Sequence, residues 1–217
     1  MTATIITIAQ RKGGAGKTTL AAHLGVTWAN KGRVVTLIDT DPQASLTHWY
    51  HKREARLGEA GTGLGFVAST GWRAVGEIAQ RARDSDIVLI DSPANADGDA
   101  RAAIRSAGLV LVPVQPSPVD VWATLPTLDI ARQERVPILL VLNRVPARAC
   151  LTAAMRARLA AYDVGLAASA IGNRIALAAA FAEGWGIAES ADGSPAADEI
   201  AALAAELLEL LPQAQAA

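Results

Sequence analysis

Cross-links, metal clusters and membrane spans find little to build on in this chain. One cysteine, Cys150, stands alone among 217 residues, so no intrachain disulfide and no multi-cysteine metal site can form. It reads as an inert thiol. No apolar run approaches the roughly 20 residues needed to cross a bilayer. The N-terminus enters a strand-like run directly instead of a basic-then-apolar leader, so a cytoplasmic protein with no membrane partner is expected. Neither sign of charge predominates: the net charge is −1, and any nucleic-acid binding would need a local patch. No tandem repeat and no inter-domain linker is visible. With 51% hydrophobic and 19% charged residues, the chain reads as one globular domain over residues 1–217.

What is present is concentrated near the start. The apolar run Ile5–Ile6–Thr7–Ile8–Ala9 leads into Gln10–Arg11–Lys12–Gly13–Gly14–Ala15–Gly16–Lys17–Thr18–Thr19, and helical spacing follows from Leu20 to Leu24. Strand, glycine-rich turn and helix form the context of a phosphate-binding loop. Its glycines let backbone N–H groups turn inward around phosphate oxygens, and the helix N-terminus adds partial positive charge. Lys17 would reach the β- and γ-phosphates, and the Thr18 hydroxyl would ligate Mg²⁺. The strict pattern GxxxxGK[ST] is not met, because Arg11 stands at its first glycine and a second lysine, Lys12, precedes the glycine pair. The competing reading is a glycine-rich turn with two solvated lysines.

Further strands follow at Val34–Ile38, Phe66–Ser69, Ile87–Ile90, Leu109–Val114 and Pro137–Arg144, and Ala168–Ile171 reads as a final edge strand. Their continuous apolar runs suit parallel strands covered on both faces. Helical stretches alternate with them, while the charged, glycine-rich residues 52–65 read as a surface loop. The expected fold is α/β: a doubly wound, mostly parallel sheet of about seven strands. Asp39 and Asp41 in Asp39–Thr40–Asp41–Pro42–Gln43 end the second strand, and Asp91 ends the fourth. Ligands of such sheets sit beyond the carboxyl ends of the strands, where these acids could serve Mg²⁺ and an attacking water. Equally, Asp39 could cap the next helix and Asp41 could be a turn residue before Pro42. The loop Gln115–Pro116–Ser117–Pro118–Val119–Asp120 is stiffened by its prolines and either borders the ligand or merely connects. Asn143 could be a turn-former, or its amide could read an adenine edge.

KGGxGKTT, DTDPQ and the strand ending in Asp91 together resemble the ParA/MinD family of deviant-Walker ATPases, and VPVQPSPVD is most similar to the small ParF-like partition members. The resemblance spans nearly the whole chain. It implies ATP and Mg²⁺ as cofactors and a phosphate loop of Gly13, Gly14, Ala15, Gly16, Lys17, Thr18 and Thr19. Thr18, Asp39 and Asp91 become the metal-side residues, Asp41 the residue that positions water, and Asn143 the adenine reader. Lys12 would cross to the phosphates of a second copy in an ATP-dependent homodimer. Asn95–Ala96–Asp97–Gly98–Asp99 is similar to a segment that responds to the γ-phosphate.

The same resemblance implies slow hydrolysis stimulated by a ParB-like adaptor, and non-specific binding of double-stranded DNA on the nucleoid. Arg144, Arg148, Arg156, Arg158 and Arg174 are the candidate phosphate contacts. Against them, residues beyond 145 hold four arginines, no lysine and eight acids. With no helix-turn-helix ahead of the first strand, operator binding is not expected. A MinD-like membrane switch would need a basic C-terminal amphipathic helix, whereas the last helix here is acidic. DNA-transfer accessory ATPases share all three motifs and stay an alternative. His23, His48 and His51 lack metal-ligand partners and read as structural or surface residues. The five tryptophans read as core or interface anchors, with Trp49 or Trp122 as candidates for the dimer face.

Overall fold

Seven apolar segments pair into one sheet in the computed structural model, which describes residues 3–70, 72–94, 97–147 and 150–214. The strands are β1 (Thr4–Ile8), β2 (Val35–Asp39), β3 (Gly65–Ala68), β4 (Ile87–Asp91), β5 (Leu109–Val114), β6 (Ile138–Val145) and β7 (Gly165–Gly172). Their order is β3-β2-β4-β1-β5-β6-β7, and every pairing is parallel. Helices α1 (Lys17–Asn30), α2 (Ser45–Leu57), α7 (Ile175–Ala182), α8 (Ile187–Ser190) and α9 (Pro195–Ala214) contribute to one core. The other face carries α3 (Trp72–Asp84), α4 (Asp97–Arg105), α5 (Pro118–Gln133) and α6 (Cys150–Ala160). Side chains alternate across the sheet: Leu109 and Leu111 join the first core, Val110 and Val112 the second. β2, β4 and β5 are buried at every position because both faces are covered.

Two features of the sheet place the site. The strand order reverses around β1, which opens a crevice at the carboxyl ends there. The register then sets Asp39 level with Asp91, and Asp91 level with Ile8 at the end of β1.

One expectation needs correcting. Residues 52–65 are not a continuous loop: α2 runs on to Leu57, followed by a single 3-10 turn at Glu59–Gly61 and then β3. The helix buries Leu46, Trp49, Tyr50 and Arg53, an i, i+3, i+4, i+7 stripe whose last position is charged. Arg53 is only 3% exposed. It donates to both carboxylate oxygens of Glu189 at 2.7 and 2.6 Å and to the Thr62 carbonyl at 2.8 Å, and its guanidinium lies over the Trp49 ring. A charge can occupy a core position when every donor is used this way. His23 is likewise structural: fully buried, its Nδ1 accepts from Ile187 N and its Nε2 donates to the Leu177 carbonyl. Trp49 is 2% exposed and stacks on Phe181, so it belongs to the core, whereas Trp122 is 60% exposed on α5.

Candidate functional site

The loop from Ala9 to Gly16 joins β1 to α1 at the mouth of the crevice. Gly14 (φ 77°) and Gly16 (φ 93°) occupy the left-handed region, which side chains disfavour. A Cβ on Gly16 would also lie 2.4 Å from Asn143 Nδ2. This geometry turns amide N–H groups to one side of the loop and carbonyls to the other. The Gly14 carbonyl accepts from Gln115 Nε2 at 3.0 Å, and the Ala15 carbonyl from Asn143 Nδ2 at 2.7 Å. The loop borders a cleft of about 470 Å³ whose walls include Gly13, Lys17, Thr19 and Asp41.

Lys17 opens α1 and is 7% exposed. Burial lowers its ammonium pKa, and the nearby Asp91 and Asp41 carboxylates oppose that. Thr18 Oγ1 donates to Asp91 Oδ2 at 2.6 Å. Asp91 is fully buried, and its other oxygen has no partner among the described residues. Burial pushes its carboxyl up to about 7; Asp39 and Asp41 push the same way, while the Thr18 hydrogen bond and Lys17 oppose them. A buried acid with an orphaned oxygen beside a threonine hydroxyl fits a hydrated Mg²⁺, which keeps several waters and takes few protein ligands. Among the described residues no cluster of three His, Cys, Asp or Glu converges on one point.

Asp39 has both oxygens engaged. Oδ1 accepts from Asp41 N at 3.1 Å; Oδ2 accepts from Thr47 N at 2.8 Å and Thr47 Oγ1 at 2.7 Å. The residue at the N-cap of α2 is Ala44, left-handed (φ 53°) and without a side-chain acceptor. Asp39, at the end of β2, supplies the acceptor that Ala44 lacks, so the helix-capping reading of Asp39 is realised even as its carboxylate stands level with Asp91. Asp41, half-buried on the cleft wall, accepts from Gln43 N at 2.9 Å in a local turn.

The two lysines of the loop part company. Lys12 turns away from the cleft, its Nζ 2.7 Å from Asp120 Oδ1 on α5, with side chains 34% and 7% exposed. The Ser117 hydroxyl donates to the other Asp120 oxygen and accepts from Asp120 N. Asn143 is 4% exposed, and its Oδ1 accepts from Arg144 N at 3.0 Å. A second cavity of about 210 Å³ adjoins the cleft, sharing Gly16, Thr19 and Arg144 and floored by Leu20 and Leu177.

The candidate DNA-contacting arginines are not brought together as equals. Arg174 Nη2 meets Glu199 at 2.6 Å, and Arg156 donates to the Ala167 carbonyl at 2.6 Å. Arg144 and Arg158 are exposed. Arg148 lies outside the described residues, as do Asn95 and Ala96 of the segment expected to respond to phosphate.

Sequence reasoning named Gln115 and Asp120 only as members of a loop that borders the ligand or connects, and assigned no role to Phe181, which lines the cleft from α7. Of these only Asp120 left a further trace, since Ser117–Pro118–Val119–Asp120 has the spacing of a helix-capping motif. That motif announces the start of α5 but not the partner of Lys12.

Known proteins are similar to this chain in sequence or in fold. The carboxysome distribution protein A of Halothiobacillus neapolitanus is 29% identical over 202 residues, 90% of this chain and 92% of that protein. Protein ParA of Rhizobium radiobacter is 35% identical over 134 residues, 62% of this chain and 59% of that protein. The septum site-determining protein MinD of Pyrococcus horikoshii OT3, solved in complex with Mg-ADP, superposes with a TM-score of 0.78 at 23% identity, covering 98% of each chain. Residues 6–211 match the CobQ/CobB/MinD/ParA nucleotide binding domain, and it is to this family, in its ParA/MinD branch, that the chain belongs.

Proposed function

We propose that this ParA/MinD-type ATPase is a partition or positioning switch. It pairs with a second copy over ATP, holds double-stranded DNA without sequence preference as that dimer, and is reset by slow hydrolysis when a ParB-like adaptor engages it on the nucleoid. The observation that carries the reading is the division of labour between the lysines: Lys17 is buried in the cleft, while Lys12 stands half-exposed outside it. One cleft in one chain uses one of them, so the other is available to a neighbour's phosphates.

In this reading the inward N–H groups of residues 13–19 and the Lys17 ammonium hold the β- and γ-phosphates. Thr18 and Asp91 would hold Mg²⁺, with Asp39 reaching it through water. The ion, when bound, supplies positive charge to the phosphate oxygens as the transferring group leaves. Asp41 orients the attacking water from the cleft wall. Lys12 exchanges Asp120 for the γ-phosphate of the second copy, so its ion pair with Asp120 is the contact given up on pairing. Asn143 borders the 210 Å³ cavity, but its amide already meets the Ala15 carbonyl and Arg144 N, so it is given no base contact in this reading. Names among the relatives support a positioning role, and the nature of the cargo, plasmid, chromosome or protein cluster, is set by the adaptor.

Retention of a long random-sequence duplex by the purified protein, with ATP or ADP and at two salt concentrations, tests this. Retention that needs ATP, weakens with salt and disappears in Lys12→Ala is expected, with single-chain ATP binding by that variant close to wild type. An ATP-dependent dimer that ignores DNA at both salts would remove the DNA half of the reading. Equal dimerisation by Lys12→Ala and wild type would remove the lysine exchange.

A further inference from the structure

We infer that Asn143 and Gln115 are positioning residues that hold the phosphate loop in its binding orientation by gripping its outward carbonyls. The inference rests on the phosphate-loop reading above and assigns two side chains a task within it.

A loop that points its N–H groups at an anion must point the carbonyls of the same peptides the other way. Between Lys12 and Lys17 the loop is Gly13–Gly14–Ala15–Gly16, and three glycines in four residues leave its peptide planes free to rotate at little steric cost. Something outside the loop has to hold them. Two consecutive carbonyls, Gly14 and Ala15, each meet a side-chain amide: Gln115 Nε2 at 3.0 Å and Asn143 Nδ2 at 2.7 Å. These amides come from the carboxyl ends of neighbouring strands, Gln115 directly after β5 and Asn143 near the end of β6. The sheet therefore serves as the rigid frame against which the loop is held.

The orientation of the Asn143 amide is fixed by chemistry at both ends. The Ala15 carbonyl can only accept, so it faces the NH₂ group; the Arg144 N–H can only donate, so it faces the oxygen. With 4% of the residue exposed and a protein partner at each end, the amide is committed to the loop. Gly16 belongs to the same device. A Cβ there would lie 2.4 Å from Asn143 Nδ2, so the glycine admits the amide as well as the left-handed turn. Holding the loop in place before the ligand arrives removes an ordering cost that binding would otherwise meet.

The experiment is displacement of a fluorescent, ribose-labelled ATP from the full chain by ATP, GTP and inorganic tripolyphosphate, each with Mg²⁺. Asn143→Ala is expected to weaken all three by one common factor of about tenfold, leaving the ATP-to-GTP preference at its wild-type value. Asn143→Asp keeps the acceptor for Arg144 N but sets a carboxylate against the Ala15 carbonyl, and it should bind at least as poorly. Gln115→Ala, closer to the surface, should repeat the pattern at about two- to threefold, and it keeps the test alive should the Asn143 variants fail to fold. Weakening of ATP alone, with tripolyphosphate untouched and the base preference collapsed, would make Asn143 a base reader and overturn the inference. So would unchanged binding of all three ligands in folded variants. Failure of the wild-type chain to bind ATP at all would instead bring down the parent reading.

Discussion

Two arginines meet glutamates at the same 2.6 Å in two regions that use the contact differently. Behind the cleft, Arg53 of α2 pairs with Glu189 of α8, with side chains 3% and 18% exposed. At the far edge of the sheet, Arg174 pairs with Glu199 of α9, with side chains 41% and 23% exposed. Arg53 sits among Trp49, the Thr62 carbonyl and the Gly184 carbonyl, and Gly184 (φ 76°) has no room for a Cβ against the Arg53 backbone. Water cannot replace those partners, so the pair is an obligatory clamp between α2 and α8. Arg174 keeps one flank in solvent, where a water or a phosphate oxygen could take over from Glu199. Distance alone does not tell these pairs apart; surroundings do.

The edge also shows what the acids of α9 are for. Glu206 accepts from Ala168 N at 2.7 Å and Ser169 N at 2.9 Å, and Glu199 accepts from Gly172 N at 2.9 Å. These are backbone donors on β7, the edge strand, and capping them blunts an edge that would otherwise pair with another chain. Burial works against the charge on Glu206, but its hydrogen bonds from Ser169 and Ala168, together with Arg156, hold its carboxyl below the usual range. The acidity of the last helix thus belongs to sheet closure, and it lies beside the arginines expected to meet DNA.

The comparison can be broken in three places. Arg53→Ala should cost most, about 3–5 kcal/mol, because it leaves Glu189 and two carbonyls without their partner; urea unfolding reads it, and a loss near zero would mean the clamp is ornamental. Next comes His23. Burial depresses its pKa to about 4 from 6.5, so the fold favours the neutral ring. Above pH 6.5 nothing is lost; as pH falls from 6.5 toward 4 the unfolded chain takes up a proton that the folded chain refuses, and stability drops by roughly 3 kcal/mol. His23→Gln should flatten that part of the stability profile, and an unchanged slope would place the acid sensitivity elsewhere. Smallest is the edge. Glu199→Gln should leave the fold standing, free Arg174, and raise ATP-dependent retention of random duplex about two- to threefold at low salt. No change would indicate that Arg174 is not a DNA contact.

How much could be read from the chain alone follows the range of the interactions. The glycine-rich loop was legible because strand, glycines, lysine and helix are contiguous from Thr4 to Asn30. Asp39 and Asp91 were legible as strand-end acids, and the parallel register then brought them level. For Asp39 the chain offered two readings, helix cap or metal-side acid; the fold realises the cap, reached from five residues before the N-cap because the loop folds back. Residues 52–57 were misread because charge was taken as exposure, while the partner that buries Arg53 lies 136 residues away. Arg156 and Arg174 were legible as charges, not as engaged charges.

Legible without the fold were the alternation of strands and helices, the parallel sheet, the glycine-rich loop between the first strand and helix, and the acids at the strand ends. These rest on apolar periodicity, backbone propensity and short-range spacing, which need no knowledge of what packs where. Only the tertiary structure decided that Lys12 rests on Asp120 while Lys17 enters the cleft, that the amides of Gln115 and Asn143 grip the loop, and that acids of α9 take up the edge of β7. Each is a pairing between residues far apart in the chain. The choice among many chemically equivalent partners is made by burial and register, which exist only once the sheet has formed.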